Sequence, residues 1–251
     1  MSKPIALAAD HGGFELKEAV RAHLEQLRAQ GGVDLGTLRL ELSGVKDEDW
    51  SENWKKYYKP FRIGTHLVVK PTWEAYQPRP EDLIIELDPG MAFGTGTHET
   101  TNMCMQLLEK HLKSDMRVMD VGTGSGILAI AAARLGAREV LAIDIDPAAV
   151  KVARENIVLN HVEDRVRAVE GDLCKSEAMP CDLAVANIVA DVIIPLSAQV
   201  PNLLTDDGIF LCSGIIDTRA HEVEAALAQN GLKVTRKREK NGWVALEAVL
   251  A

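Results

Sequence analysis

The sequence predicts an α/β fold, a mostly parallel seven-stranded sheet that ends in an antiparallel hairpin. Three observations predict it. From residue 117 onward, short apolar runs alternate with segments of helical spacing, the pattern of a parallel sheet covered on both faces. Within that region, Val118-Met119-Asp120-Val121-Gly122-Thr123-Gly124-Ser125-Gly126-Ile127 reads as a strand, a glycine-rich turn and the start of a helix. Near the end, Lys240-Asn241-Gly242 separates two strand-like runs, 233–239 and 243–250, and Asn-Gly is a strong hairpin signal.

Residues 4–9 read as a short strand. Residues 14–30 have helical spacing, with Leu16, Val20, Leu24 and Leu27 on one side, and Gly31-Gly32 ends the segment. Leu38-Arg39-Leu40-Glu41-Leu42 alternates like a half-buried strand. Residues 47–58 place Trp50, Trp54, Tyr57 and Tyr58 at helical intervals and read as a connecting helix. Strands are expected at 67–70 and 83–87, with Pro71, Pro78 and Pro80 between them. A helix over 100–112 carries Met103, Leu107 and Leu108 on its apolar side. The main strands fall at 117–120, 140–143, 166–169, 182–186 and 209–213, with helices near 127–135, 147–158, 190–202 and 218–230. The expected organisation is a truncated α+β N-terminal segment (1–46), a linker helix and connection (47–70) and the main domain (71–251).

The glycine-rich turn carries the chemistry. Glycines at 122, 124 and 126 let the backbone turn sharply and approach a ligand, because no Cβ intervenes. Dinucleotide turns read G-x-G-x-x-G, with a pyrophosphate at the helix N-terminus. Here the third glycine comes one residue early. Asp120 sits just before the turn; its carboxylate would repel a pyrophosphate but suits a ligand carrying an ammonium and a sulfonium. Asp144, about 20 residues on, ends the next strand and is placed to accept hydrogen bonds from ribose hydroxyls. The combination points to S-adenosylmethionine, contacted by Asp120, Gly122, Gly124 and Asp144. It also points to a Rossmann-like class I methyltransferase, whose parallel sheet closes with such a hairpin. No metal site is expected.

A second glycine-rich loop, 88–101, precedes the first helix of the main domain. Phe93, Thr97 and Thr101 could fold over the methionine end of the cofactor and exclude water. As a plain turn, the same loop would supply helix caps from Thr97 to Thr101. His98 is a general base or a loop histidine, with nothing local to choose between them. Asn187 stands at the carboxyl end of a buried strand, where open α/β sheets bind ligands. Its side-chain oxygen and the Ile188 carbonyl could accept hydrogen bonds from a substrate N–H and aim the nitrogen; the alternative is a helix cap. The motif is similar to the Asn-Pro-Pro-Tyr type of amine-methylating enzymes, without its prolines. Asp172 could bond the adenine amino group or be a turn acid.

Composition excludes several classes. The net charge of −9 disfavours direct nucleic-acid binding, which needs a basic face. No apolar run approaches the ~18–20 residues of a membrane span. Four cysteines (104, 174, 181 and 212) form no C-x-x-C pair and suit reduced thiols in a cytoplasm.

With Asp47-Glu48-Asp49-Trp50, Trp54-Lys55-Lys56-Tyr57-Tyr58-Lys59-Pro60, Phe93-Gly94-Thr95-Gly96-Thr97-His98, Asp144-Ile145-Asp146-Pro147, Ala186-Asn187-Ile188 and Ser213-Gly214-Ile215 in place, the chain resembles the PrmA family from about Leu35 to Ala251. The resemblance implies an enzyme that trimethylates lysine and α-amino groups of a large-subunit ribosomal protein (protein L-eleven), free or ribosome-bound. It implies cofactor contacts at Thr101, Gly122, Asp144 and Asn187. A monomer is expected. The start of the chain departs from that pattern: Ile5-Ala6-Leu7-Ala8-Ala9-Asp10-His11-Gly12-Gly13 is similar to the opening of a type B ribose-5-phosphate isomerase, whose remainder is absent, so isomerase activity is excluded. Two other readings stand beside the main one. The chain could methylate another protein or a small molecule, or bind the cofactor while inactive on the ribosomal protein.

Overall fold

The computed structural model describes residues 58–88, 96–172 and 180–251. The expectations for 4–9, 14–30, 38–42 and 47–57 lie outside the described residues, as does Phe93. A compact unit runs from Lys55 to Ala251 and holds everything described below. It begins with a three-stranded sheet of β1 (Phe61–Ile63), β2 (Leu67–Pro71) and β3 (Leu83–Leu87), with β1 antiparallel and β3 parallel to β2. The boundary expected at 70/71 therefore falls inside β2.

The chain then alternates: α1 (Glu99–His111), β4 (Arg117–Val121), α2 (Ile127–Arg134), β5 (Glu139–Asp144), α3 (Pro147–Leu159), β6 (Val166–Glu170) and β7 (Cys181–Asn187). After β7 come α4 (Ala190–Leu196), α5 (Val200–Leu203), β8 (Leu204–Ile216), a short 3-10 turn, α6 (Ala220–Gln229), β9 (Leu232–Lys240) and β10 (Trp243–Leu250). The seven-stranded sheet has the order β6-β5-β4-β7-β8-β10-β9. Strands β4 to β8 are parallel, and β10 lies antiparallel between β8 and β9. This is the Rossmann-like methyltransferase architecture that the alternation predicts.

Two details differ from the sequence expectation. The helix expected over 190–202 is two helices, α4 and α5. Pro201 lies in the first turn of α5, where its missing N–H costs nothing, whereas it could not donate within one continuous helix. Strand β8 is longer than expected, Leu204–Ile216, because it is bonded along β7 on one side and β10 on the other. The hairpin closes as its residues require. Asn241 and Gly242 both have positive φ, 51° and 78°, the conformation of a two-residue type I′ turn.

The chain runs outward from β4 through β5 to β6, then returns to the other side of β4 as β7. Strand order reverses there, and a crevice opens beyond the carboxyl ends of β4 and β7. Two buried asparagines, Asn156 in α3 and Asn160 capping its C-terminus, brace the region. Asn156 donates to the Ser125 carbonyl in the glycine loop (2.9 Å) and accepts from Asp88 N (3.1 Å). Asn160 bonds both the N–H and the carbonyl of Glu86 on β3 (2.9 and 2.7 Å). The small sheet is thereby tied to the helix that supports the loop.

Candidate functional site

The glycine loop is built from β4 upward. Gly122 N and Thr123 N both donate to the Ile143 carbonyl (2.9 and 3.0 Å), which folds the chain over the end of β5. Gly122, Gly124 and Gly126 have φ of 71°, 54° and 84°. The space is as demanding as the dihedral: a Cβ on Gly122 would stand 2.4 Å from Ile188 Cγ2. Asp120 holds the loop from beneath. Its Oδ2 accepts from Thr123 Oγ1 (2.6 Å) and from Ala129 N in α2 (3.0 Å), while its Oδ1 is buried with no partner. Burial pushes its pKa up to about 7. Asp120 is fully buried and is not on the wall of the cavity above it.

Asp144, the last residue of β5, is on that wall. Its Oδ2 accepts from Gly124 N (2.8 Å) and its Oδ1 from Asp146 N (3.0 Å). Each oxygen keeps a lone pair for a ligand hydroxyl. Across the crevice, Asn187 ends β7. Its Nδ2 donates to Thr101 Oγ1 in the first turn of α1 (3.0 Å), and its buried Oδ1 has no partner. Ile188 follows, with its N–H bonded to the Ser213 carbonyl (3.0 Å).

These residues enclose a cavity of about 700 Å³, within the usual range for small-ligand sites. Thr101, Gly122, Gly124, Asp144, Asn187 and Ile188 all line it. Three expected contacts do not. Asp120 lies below the loop, Thr97 is exposed and off the wall, and Asp172 is exposed beyond the end of β6. His98 lines the cavity and also caps α1: its Nδ1 meets Thr100 Oγ1 (2.8 Å) and accepts from Thr100 N (3.4 Å).

Sequence reasoning missed several wall residues. Ile145, exposed by 71%, follows Asp144, and Val189 and Val192 stand at the start of α4. Trp243 comes from the first position of β10, far along the chain. Gly214 had a visible signal, a glycine inside a strand, but no role. A Cβ there would stand 2.4 Å from the Ile188 carbonyl oxygen, so this glycine lets β8 approach the Asn187–Ile188 turn.

The wall suits a cationic nucleoside better than a pyrophosphate. Among the described residues it includes the carboxylates of Asp144 and Asp146 and no lysine or arginine. Asn187 Oδ1 leaves a buried acceptor without a donor, which a ligand N–H would satisfy.

Comparison with known proteins gives the lineage. The family model for ribosomal protein L11 methyltransferase (PrmA) matches residues 11–250. The chain belongs to the PrmA family. The match starts well before Leu35, at residue 11, so it takes in the end of the isomerase-like stretch 5–13 and all of 14–34. A ribosomal protein L11 methyltransferase of Desulfitobacterium hafniense is 56% identical over 204 residues, 81% of this chain. One from Clostridium perfringens is 46% identical over 231 residues, 92% of this chain. The chain spans 65% of the length of the first and 73% of the second. The crystal structure of a ribosomal protein L11 methylase from Lactobacillus delbrueckii subsp. bulgaricus superposes with a TM-score of 0.73 at 39% identity, covering 77% of this chain and 99% of that one. For this PrmA-family chain, the cavity lies where the reversal of strand order leaves a crevice in the sheet.

Proposed function

We propose that the chain is an S-adenosylmethionine-dependent methyltransferase that N-methylates lysine and α-amino groups of ribosomal protein L11, free or ribosome-bound. The observation that carries this is the pairing, in one cavity, of the Gly122–Gly124–Asp144 cradle with the unpartnered Asn187 Oδ1. When bound, the cofactor supplies an electrophilic methyl group on a sulfonium. Asp144 would hold the ribose hydroxyls, Gly122 and Gly124 would admit the cofactor against the backbone, and Thr101 would fix the Asn187 amide. Asn187 Oδ1 and the Ile188 carbonyl would accept from the acceptor amine and orient its lone pair. Orientation and proximity are the protein's main contribution to such a transfer. No side chain is required as base, since water can take the ammonium proton before transfer.

The proposed setting is the cytoplasm, with the chain a monomer making no direct nucleic-acid contact. Among the described residues, no helix is long and apolar enough to cross a membrane. The test is transfer of tritiated methyl from the cofactor to ribosomes, or to free L11, lacking the modification. Label on L11 but not on a panel of small amines is the expected result. Absence of label on L11 would overturn the reading.

A further inference from the structure

The two ends of the cavity differ in chemistry. Asp144 and Asp146 lie at the β5 end. At the other end the sheet brings together the carboxyl end of β7, the Ser213–Gly214 stretch of β8 and the start of β10. Asn187 registers with Ser213, and Trp243 with Ile216. Trp243 lines the cavity there. The His98 and Trp243 rings meet in a T-shaped arrangement, with centroids 4.8 Å apart and planes at 76°. His98 is itself held by its bonds to Thr100. Trp243 is thus set from two directions, by its strand register and by a pinned histidine. Thr101, which fixes the Asn187 amide, lies in the same first turn of α1. Asn187, Thr101, His98 and Trp243 share one end of the cavity.

Asn187 Oδ1 can hold an amine only while the nitrogen has a hydrogen to donate. Alkylation removes those hydrogens, and a quaternary ammonium has none left. An indole face has no such limit, because it attracts the cation through its quadrupole. We propose that Trp243 is the recognition wall for the alkylammonium head of the acceptor side chain, the quaternary form included. Asn187 would read the forms that bear N–H, and Trp243 those that do not. The proposal rests on the reading of this end as the acceptor end.

The test measures binding to the full chain, by NMR titration, of two probes. One is Nε-trimethyl-lysine amide; the other is its neutral isostere, with carbon in place of the quaternary nitrogen. The charged probe is expected to bind about 2- to 30-fold more tightly. Trp243→Ala should erase that preference, and Trp243→Phe should keep part of it. Equal affinity of the two probes for the wild-type protein overturns the proposal and needs no variant. A preference unchanged in Trp243→Ala, or no binding of either probe, also overturns it. Neither probe requires turnover, so a failed methyl-transfer assay would count against the proposed activity alone.

Discussion

At the residue scale, Asp144 and Asn187 mark the limits of what spacing reveals. Asp144 was legible because an acid ending the strand after a glycine turn is a local pattern. Its bonds to Gly124 N and Asp146 N show that it shapes the turn as well as facing the cavity. Asp144→Ala should weaken S-adenosylmethionine binding about 10- to 100-fold in calorimetry, the loss expected for hydrogen bonds to a charged group. Unchanged affinity would remove its ribose role. Asn187 was legible as a strand-end residue, but its partner was not: Thr101 lies 86 positions away and meets it only through packing of α1 on the sheet. Asn187→Ala should lower turnover roughly 10²-fold, the cost of a misaligned reacting group, with a smaller effect on cofactor affinity. Normal turnover would exclude it from orienting the amine.

At the element scale, the terminal hairpin was legible in full. Period-two alternation and Asn-Gly act locally, and the turn needs the positive φ that these two residues tolerate. What β10 carries was not legible. Glu247 is buried on β10, where Lys110 Nζ (3.1 Å) and His111 Nε2 (2.7 Å) of α1 meet its carboxylate and Arg236 of β9 stands 3.7 Å away. Burial pushes the Glu247 carboxyl up, but the hydrogen bonds and charges of Lys110 and His111 outweigh it, so it titrates below its ordinary 4.5. A carboxyl depressed in the folded state adds stability above its unfolded pKa and loses it as pH falls through its folded one. Below about pH 4.5 the wild-type protein should therefore lose stability more steeply than Glu247→Gln. Parallel melting-temperature profiles would show that the cluster contributes nothing. Among the described residues, the split of α4 from α5 was the one misjudged helix, because apolar spacing runs on past 196 while Pro201 cannot.

At the scale of the whole molecule, the described residues lining the cavity run from His98 to Trp243, inside the unit that begins at Lys55. A chain starting at Lys55 should bind S-adenosylmethionine within about threefold of the full chain, under ~0.7 kcal/mol. A larger loss would place part of the cofactor site in the first 54 residues. By itself the sequence determined the α/β class, the alternation of strands and helices, the glycine turn with its two acids, and the hairpin. Each of these is written in contacts between near neighbours in the chain. Only the tertiary structure decided which acid faces the cavity. Asp120 and Asp144 look alike as strand-end carboxylates, yet the first is sealed under the turn while the second opens to the cavity. Only the tertiary structure joined Asn187 to Thr101 and set Trp243 against His98, because β10 enters between β8 and β9 and brings a distant residue to the crevice. Sheet order is a long-range choice, made by the burial of whole faces, and local pattern does not encode which strand ends will meet.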